Sequence, residues 1–130
     1  MDVEGSVLKG LKADTQVTYI RLGEELQIAM LPGEALTHMG LGISEGEHFV
    51  DGQPVPPFKG IKEAMSAPFK MVTSLTGDEL IYLVPSEEWN NHPGLVKGDT
   101  SYEESMSMSL DGILADACRE KAIRLIESDR

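Results

Sequence analysis

The chain has 130 residues, 41% hydrophobic and 25% charged, which excludes collagen-like and wholly disordered readings and allows a core without disulfides or a structural metal. Eleven Lys and Arg against 22 Asp and Glu give a net charge of −11, with a pI near 4.6. That balance argues against nucleic-acid partners, because affinity for a phosphate backbone comes from basic side chains.

With aromatics at 5%, aliphatic residues and the seven Met must fill the interior. Cys118 is the single cysteine, so no internal disulfide forms and nothing requires an oxidising compartment. MDVEGSVLKG lacks the basic start and apolar run of a signal peptide, and no stretch reaches membrane-spanning length. A soluble domain is expected, with the cytoplasm as its default location.

In chain order, residues 16–31 predict a hairpin, with Gly23 supplying the turn. Its second arm, 26–31, is apolar on alternate and intervening positions alike, as in a strand covered on both faces, and stops at Pro32-Gly33. Residues 34–39 suit a short helix opening at Glu34. From Gly40 to Pro57 the chain is rich in Gly and Pro, and this 40–58 insertion is open to three readings: a lid, a structured insertion with a small hairpin at Asp51-Gly52, or a plain loop.

Ile61, Ala64 and Met65 then fit a short helix that must end before Pro68. Strands are predicted over 69–75 and 80–84, separated by a turn at Thr76-Gly77-Asp78. Ser86-Glu87-Glu88 resembles a capped helix start, and residues 90–100 a polar link. In the 101–130 tail, Leu110, Ile113, Leu114, Ala117, Cys118 and Leu125 recur at helical spacing, with Lys121 and Arg124 late, predicting a helix over 110–127. The expected fold class is α/β: a mixed sheet with flanking helices, forming a single compact domain with a C-terminal helix.

Motifs that carry chemistry are few. Two windows, between Arg21 and Lys59 and between Lys70 and Lys97, hold carboxylates and no Lys or Arg. Such windows suit a shared cation or simply solvated loops. His38, His48 and His92 sit singly, outside any HExxH or CxxC pattern, and the Glu45-Gly46-Glu47-His48 stretch with Asp51 is at best a weak ion site. No GxSxG nucleophile is present, and Cys118 on an apolar helix side reads as a small core residue.

Three blocks taken together carry a resemblance: TYIRLGEELQIAMLPGEALTHMG, then LTGDELIYLVPSEEW, then SYEES. In this order they resemble the later part of the catalytic domain of the neutral/alkaline ceramidase-like family, across roughly residues 17–105. The shared features are the Gly-Glu turn at Gly33-Glu34 with Met39-Gly40 behind it, the Gly77-Asp78 to Trp89 stretch containing Tyr82 and Pro85, and the Tyr102-Glu103 pair.

That family hydrolyses the amide of N-acylated sphingoid bases at one zinc held by two histidines, a glutamate and a tyrosine. The resemblance implies that Glu34 and Tyr82 are the glutamate and tyrosine ligands. Read from the residues alone, Glu34 is a helix-start acid and Tyr82 a core tyrosine with a satisfied hydroxyl. The family's zinc histidines and serine-bearing segment lie earlier in the polypeptide, and nothing before residue 17 matches them. The resemblance therefore implies a partial site, completed by an upstream segment or a second chain, with zinc not retained by this chain alone. The competing expectation is a stand-alone, non-catalytic α/β module that binds a protein or self-associates into a homo-oligomer, using helix 110–127 with Met106 and Met108.

Overall fold

The computed structural model describes residues 14–50, 52–90, 102–108 and 112–129. The described elements are β1 (Thr18–Leu22), β2 (Leu26–Met30), β3 (Glu34–Ala35), α1 (Thr37–Leu41), β4 (Phe49–Val50), β5 (Gln53–Pro54), α2 (Ile61–Ala64), β6 (Phe69–Thr73), β7 (Tyr82–Leu83), a 3-10 turn at Ser86–Glu88, α3 (Tyr102–Ser105) and α4 (Ile113–Ser128). The fold is α/β, with mixed sheets and a C-terminal helix.

β1 and β2 form the expected antiparallel hairpin, closed by Leu22 against Leu26 with Gly23 at φ +60°. β6 adds to the other side of β2 in parallel, from Leu26 against Phe69 to Met30 against Thr73. A parallel neighbour demands a long crossover. Here the chain between β2 and β6 supplies it, carrying α1, the β4–β5 hairpin and α2.

One face of this sheet is core. Gln27 and Ala29 are fully buried there, and Tyr19 and Val72 pack against the cluster formed by Leu31, Met39, Ile61, Leu83, Cys118 and Ile126. The opposite face is apolar but only partly covered: Ile20, Leu26 and Ile28 are half-buried, while Leu22, Phe69 and Met71 are exposed. The expected two-sided cover of β2 is thus complete on one side only, because its neighbours contribute large side chains that nothing among the described residues encloses.

Gln27 is a polar side chain at the centre of this core, and it is satisfied. Its Oε1 accepts from the N–H of Ser66 at 2.7 Å and of Ala67 at 2.8 Å, and its Nε2 donates to Tyr19 Oη at 2.6 Å. The Tyr19 hydroxyl in turn donates to Asp129 Oδ2 at 2.9 Å, so one amide ties β2 to the α2–β6 connection and to the end of α4.

Several expectations need correction. Glu34 and Ala35 are extended, and the helix begins only at Thr37. Their backbone pairs with β7, Glu34 N–H donating to Ile81 O at 2.6 Å, and this cross-strand bonding overrides local helix preference. Ser86 is not a cap: the segment is a single 3-10 turn without side-chain capping, and Ser86 N–H donates to Asp116 Oδ1 on α4.

Helix α4 starts at Ile113, with Leu110 and residues 109–111 outside the described range. Its buried stripe is Leu114, Ala115, Cys118, Arg119, Ala122 and Ile126, while Ile113 is exposed and Ala117 and Leu125 are half-buried. The face is rotated from the one predicted because Arg119, counted as polar, turns inward. No basic side chain lies in the last turn of α4, so Arg124 pairs with Glu120 instead.

The Gly/Pro-rich stretch is structured. Ile43 and Phe58 bond reciprocally at 3.0 Å and close its base, β4 and β5 form a hairpin around Gly52, and Val55 is buried inside. Asp51 and, of the predicted link over 90–100, residues 91–100 with His92 lie outside the described residues. Among the described residues no helix is long and apolar enough to cross a membrane.

Because Gln27 accepts from two consecutive backbone N–H groups, that of Ala67 buried, Gln27→Leu should lower unfolding free energy by about 1–3 kcal/mol, the range expected when a buried donor loses its partner. Urea denaturation of the two chains measures it.

Candidate functional site

The Gly-Glu turn meets β7 because position 33 has no side chain. A Cβ on Gly33 would lie 2.7 Å from the Ile81 carbonyl oxygen and 2.9 Å from Leu83 Cγ, so only glycine lets the strands close. β3 and β7 then run parallel with Glu34 opposite Tyr82 and Ala35 opposite Leu83. Residues in register on a ladder share a face, so the carboxylate and the phenol project from the same side of this short sheet.

Glu34 is exposed, with no hydrogen bond or ion pair to its carboxylate among the described residues; Tyr82 is half-buried. A helix dipole plays no part at Glu34, which is in a strand and precedes a helix of only five residues.

Backbone strain sits beside this pair. Leu75 and Ile81 both adopt φ 53°, the left-handed region that L side chains avoid, and Ile81 is β-branched. Such residues cost about 1–3 kcal/mol each and persist where surrounding bonds over-determine them. Here Leu75 N–H donates to Gly33 O at 3.1 Å, and Ile81 O accepts from Glu34.

Zinc in a catalytic centre takes three protein ligands and an open position. Glu34 and Tyr82 could offer at most two oxygens, fewer than such a centre needs.

A second constellation was not legible as a unit. His38 on α1, His48 at the entry to β4 and Glu88 at the end of the 3-10 turn converge so that one ligand atom from each lies within 4.8 Å of the others. Glu88 Oε2 is 3.0 Å from His38 Nδ1 and 3.4 Å from His48 Nε2, and the imidazole centroids are 4.4 Å apart at 54°. Side-chain exposure is 31% for His38, 33% for His48 and 7% for Glu88. His48 therefore does not act with Glu45 and Glu47, which are exposed; Glu47 instead accepts from Ser44 N–H.

The acid next to Glu88 faces the other way. Glu87 takes a two-pronged contact from Arg119, at 2.8 and 3.1 Å, and the guanidinium also lies 4.3 Å from the Phe58 ring centroid. Part of the second cation-free window thus finds its counter-ion on α4, far along the chain. In the third block Glu104 anchors the tail, accepting from both the N–H and the side-chain amide of Asn90. A cavity of about 220 Å³ opens beside β3 and α1, lined by Ala35, Leu36, Thr37, Gly40, Lys62 and Ser74 among others.

No protein-family model, curated protein or solved structure matches this chain.

Gly33→Ala should destabilise the chain by about 1–3 kcal/mol, the range for overpacking, and should strip hydrogen-exchange protection from the Glu34 and Leu36 amides that bond β7. Cys118 supplies no nucleophile: it is fully buried, and burial pushes its thiol from the ordinary 9.0 up to about 11. A thiol reagent at neutral pH should label it only as fast as the chain unfolds. Above pH 9 the unfolded thiol ionises while the folded one does not, so this residue's contribution to stability falls between pH 9.0 and about 11. Denaturation series on the unmodified chain and on Cys118→Ala should show that component only in the former.

Proposed function

We propose that this chain is the C-terminal portion of a ceramidase-like, zinc-dependent amide hydrolase. It supplies Glu34 and Tyr82 to a site completed by an upstream segment or a second chain. The observation that carries this reading is the register of β3 with β7, which sets Glu34 opposite Tyr82 although they are remote in sequence. Glu34, whose carboxylate has no partner among the described residues, and the strained Ile81 next to Tyr82 also support it.

Zinc, when bound, supplies Lewis acidity that polarises an amide carbonyl and acidifies a water molecule. Glu34 contributes a negative charge held on a strand, and Tyr82 a hydroxyl whose ring is anchored by its half-buried position. Gly33 keeps both on one face by admitting the Ile81 carbonyl.

The partly covered sheet face, with Leu22, Phe69 and Met71 exposed, is what a chain that packs against further polypeptide would present. That face also serves the second reading, a non-catalytic module that binds a protein or copies of itself. A buried, salt-bridged Glu34 would favour that module; the exposed carboxylate favours the hydrolase.

The test is to mix the purified chain with a separately expressed upstream segment and measure zinc content and hydrolysis of an N-acyl sphingoid base. Expected is one zinc equivalent in the mixture beyond whatever the chain binds by itself, and this increment is lost, with activity, in Glu34→Gln. Failure of the two polypeptides to associate, or a mixture whose zinc and activity ignore Glu34→Gln, overturns the proposal.

A further inference from the structure

We propose that His38, His48 and Glu88 form a binding site for one divalent transition-metal ion of the zinc type. It lies wholly within this chain, uses neither Glu34 nor Tyr82, and stands whether or not the hydrolase reading does.

The donor set is two imidazole nitrogens and one carboxylate. Imidazole selects zinc and its neighbours over magnesium and calcium, which prefer all-oxygen shells. Two histidines and a glutamate with an open fourth position is also one of the established three-ligand sets for zinc. Spacing agrees. Metal–ligand bonds of about 2.0–2.2 Å in a tetrahedron put donor atoms roughly 3.3 Å apart. The carboxylate oxygen is 3.0 and 3.4 Å from the two ring nitrogens, and all three donor atoms lie within 4.8 Å of one another, so rotation of the imidazoles brings them around one ion.

The second observation is the state of Glu88. Its side chain is more than nine-tenths buried, yet Oε1 has no hydrogen-bond partner among the described residues. A buried carboxylate with a bare oxygen is expensive, and no Lys or Arg among the described residues pairs with it. An ion beside the two imidazoles would neutralise the charge and engage the carboxylate.

The three carriers are held before any ion arrives. His38 O accepts from Gly42 N–H at 2.7 Å, His48 O from Val55 N–H at 2.9 Å, and Glu88 N–H donates to Pro85 O at 3.0 Å. Arg119 fixes the 3-10 turn by gripping Glu87. The imidazoles are about one-third exposed, leaving a solvent side for entry and for a fourth, water ligand.

The experiment is calorimetric titration of the full chain, stripped with chelator, with Zn2+ alone. One equivalent should bind, and His48→Ala and Glu88→Gln should each weaken it by more than the roughly 10–100-fold that loss of a mere supporting group costs. Glu34→Gln and Tyr82→Phe should leave it unchanged, which separates this site from the proposed hydrolase ligands. In the unmodified chain the imidazole NMR resonances of His38 and His48 should move together and stop at one equivalent, a readout that needs no variant to fold. No binding, binding undiminished in Glu88→Gln, resonances that stay put, or zinc lost on Glu34→Gln would each overturn the proposal.

Discussion

Arg119 is the contact on which the arrangement of both candidate sites depends. Its guanidinium is almost fully buried, forks onto both Glu87 oxygens, approaches Asp116 at 3.4 Å and lies over Phe58. Four chain segments therefore meet at one side chain: α4, the 3-10 turn, the base of the β4–β5 excursion and, through that turn, β7. A buried ion pair adds little net stability over a well-packed apolar replacement, but removing one partner strands the other at a cost of several kcal/mol. Its value here is geometric. A planar fork fixes direction as well as distance, which an ammonium on a flexible stem does not.

That fixed direction is what points Glu88. In a 3-10 turn successive side chains diverge by about 120°, so neighbouring acids cannot face the same partner. With Glu87 committed to Arg119, Glu88 is directed to the opposite flank, where α1 delivers His38 and the β4 entry delivers His48. Asp116 completes the junction by accepting from Ser86 N–H, and burial there raises its carboxyl above the ordinary value. The Gly33 contact sets β7 against β3 from the other end, so the segment from Ile81 to Glu88 is held at both ends.

Much of this was legible in the sequence where the signal is local. The Gly23 hairpin, the β6 run, the turn at Gly77 and the C-terminal helix follow from periodicity and breakers, and the structure has them. What was misread depends on contacts remote in sequence. Glu34 looks like a helix start until β7 takes its amide, and Ser86 looks like a cap until Asp116 takes its N–H. The buried face of α4 was misplaced because a hydrophobic count cannot see an arginine turned inward toward Glu87. The register of Glu34 with Tyr82 has no signal in periodicity, since Glu34 reads locally as a helix start. The histidine–glutamate cluster had no signal of its own, since its members come from a helix, a loop and a 3-10 turn with no fixed spacing.

How the chain treats its other buried polar groups gives the Glu88 oxygen its meaning. Gln27, in the centre of the sheet, has its carbonyl accepting twice and its amide donating to Tyr19. Glu104 has each oxygen met by Asn90, and Arg119 uses both terminal nitrogens. Among the described residues, the orphan is confined to Glu88 Oε1. Uniform tolerance of bare polar atoms would make it unremarkable, but a fold that satisfies an amide, a carboxylate and a guanidinium at comparable depth is not tolerant. Its single exception lies beside two imidazoles at ligand spacing, where hydrogen bonding from the protein runs out and a cation is the complementary chemistry.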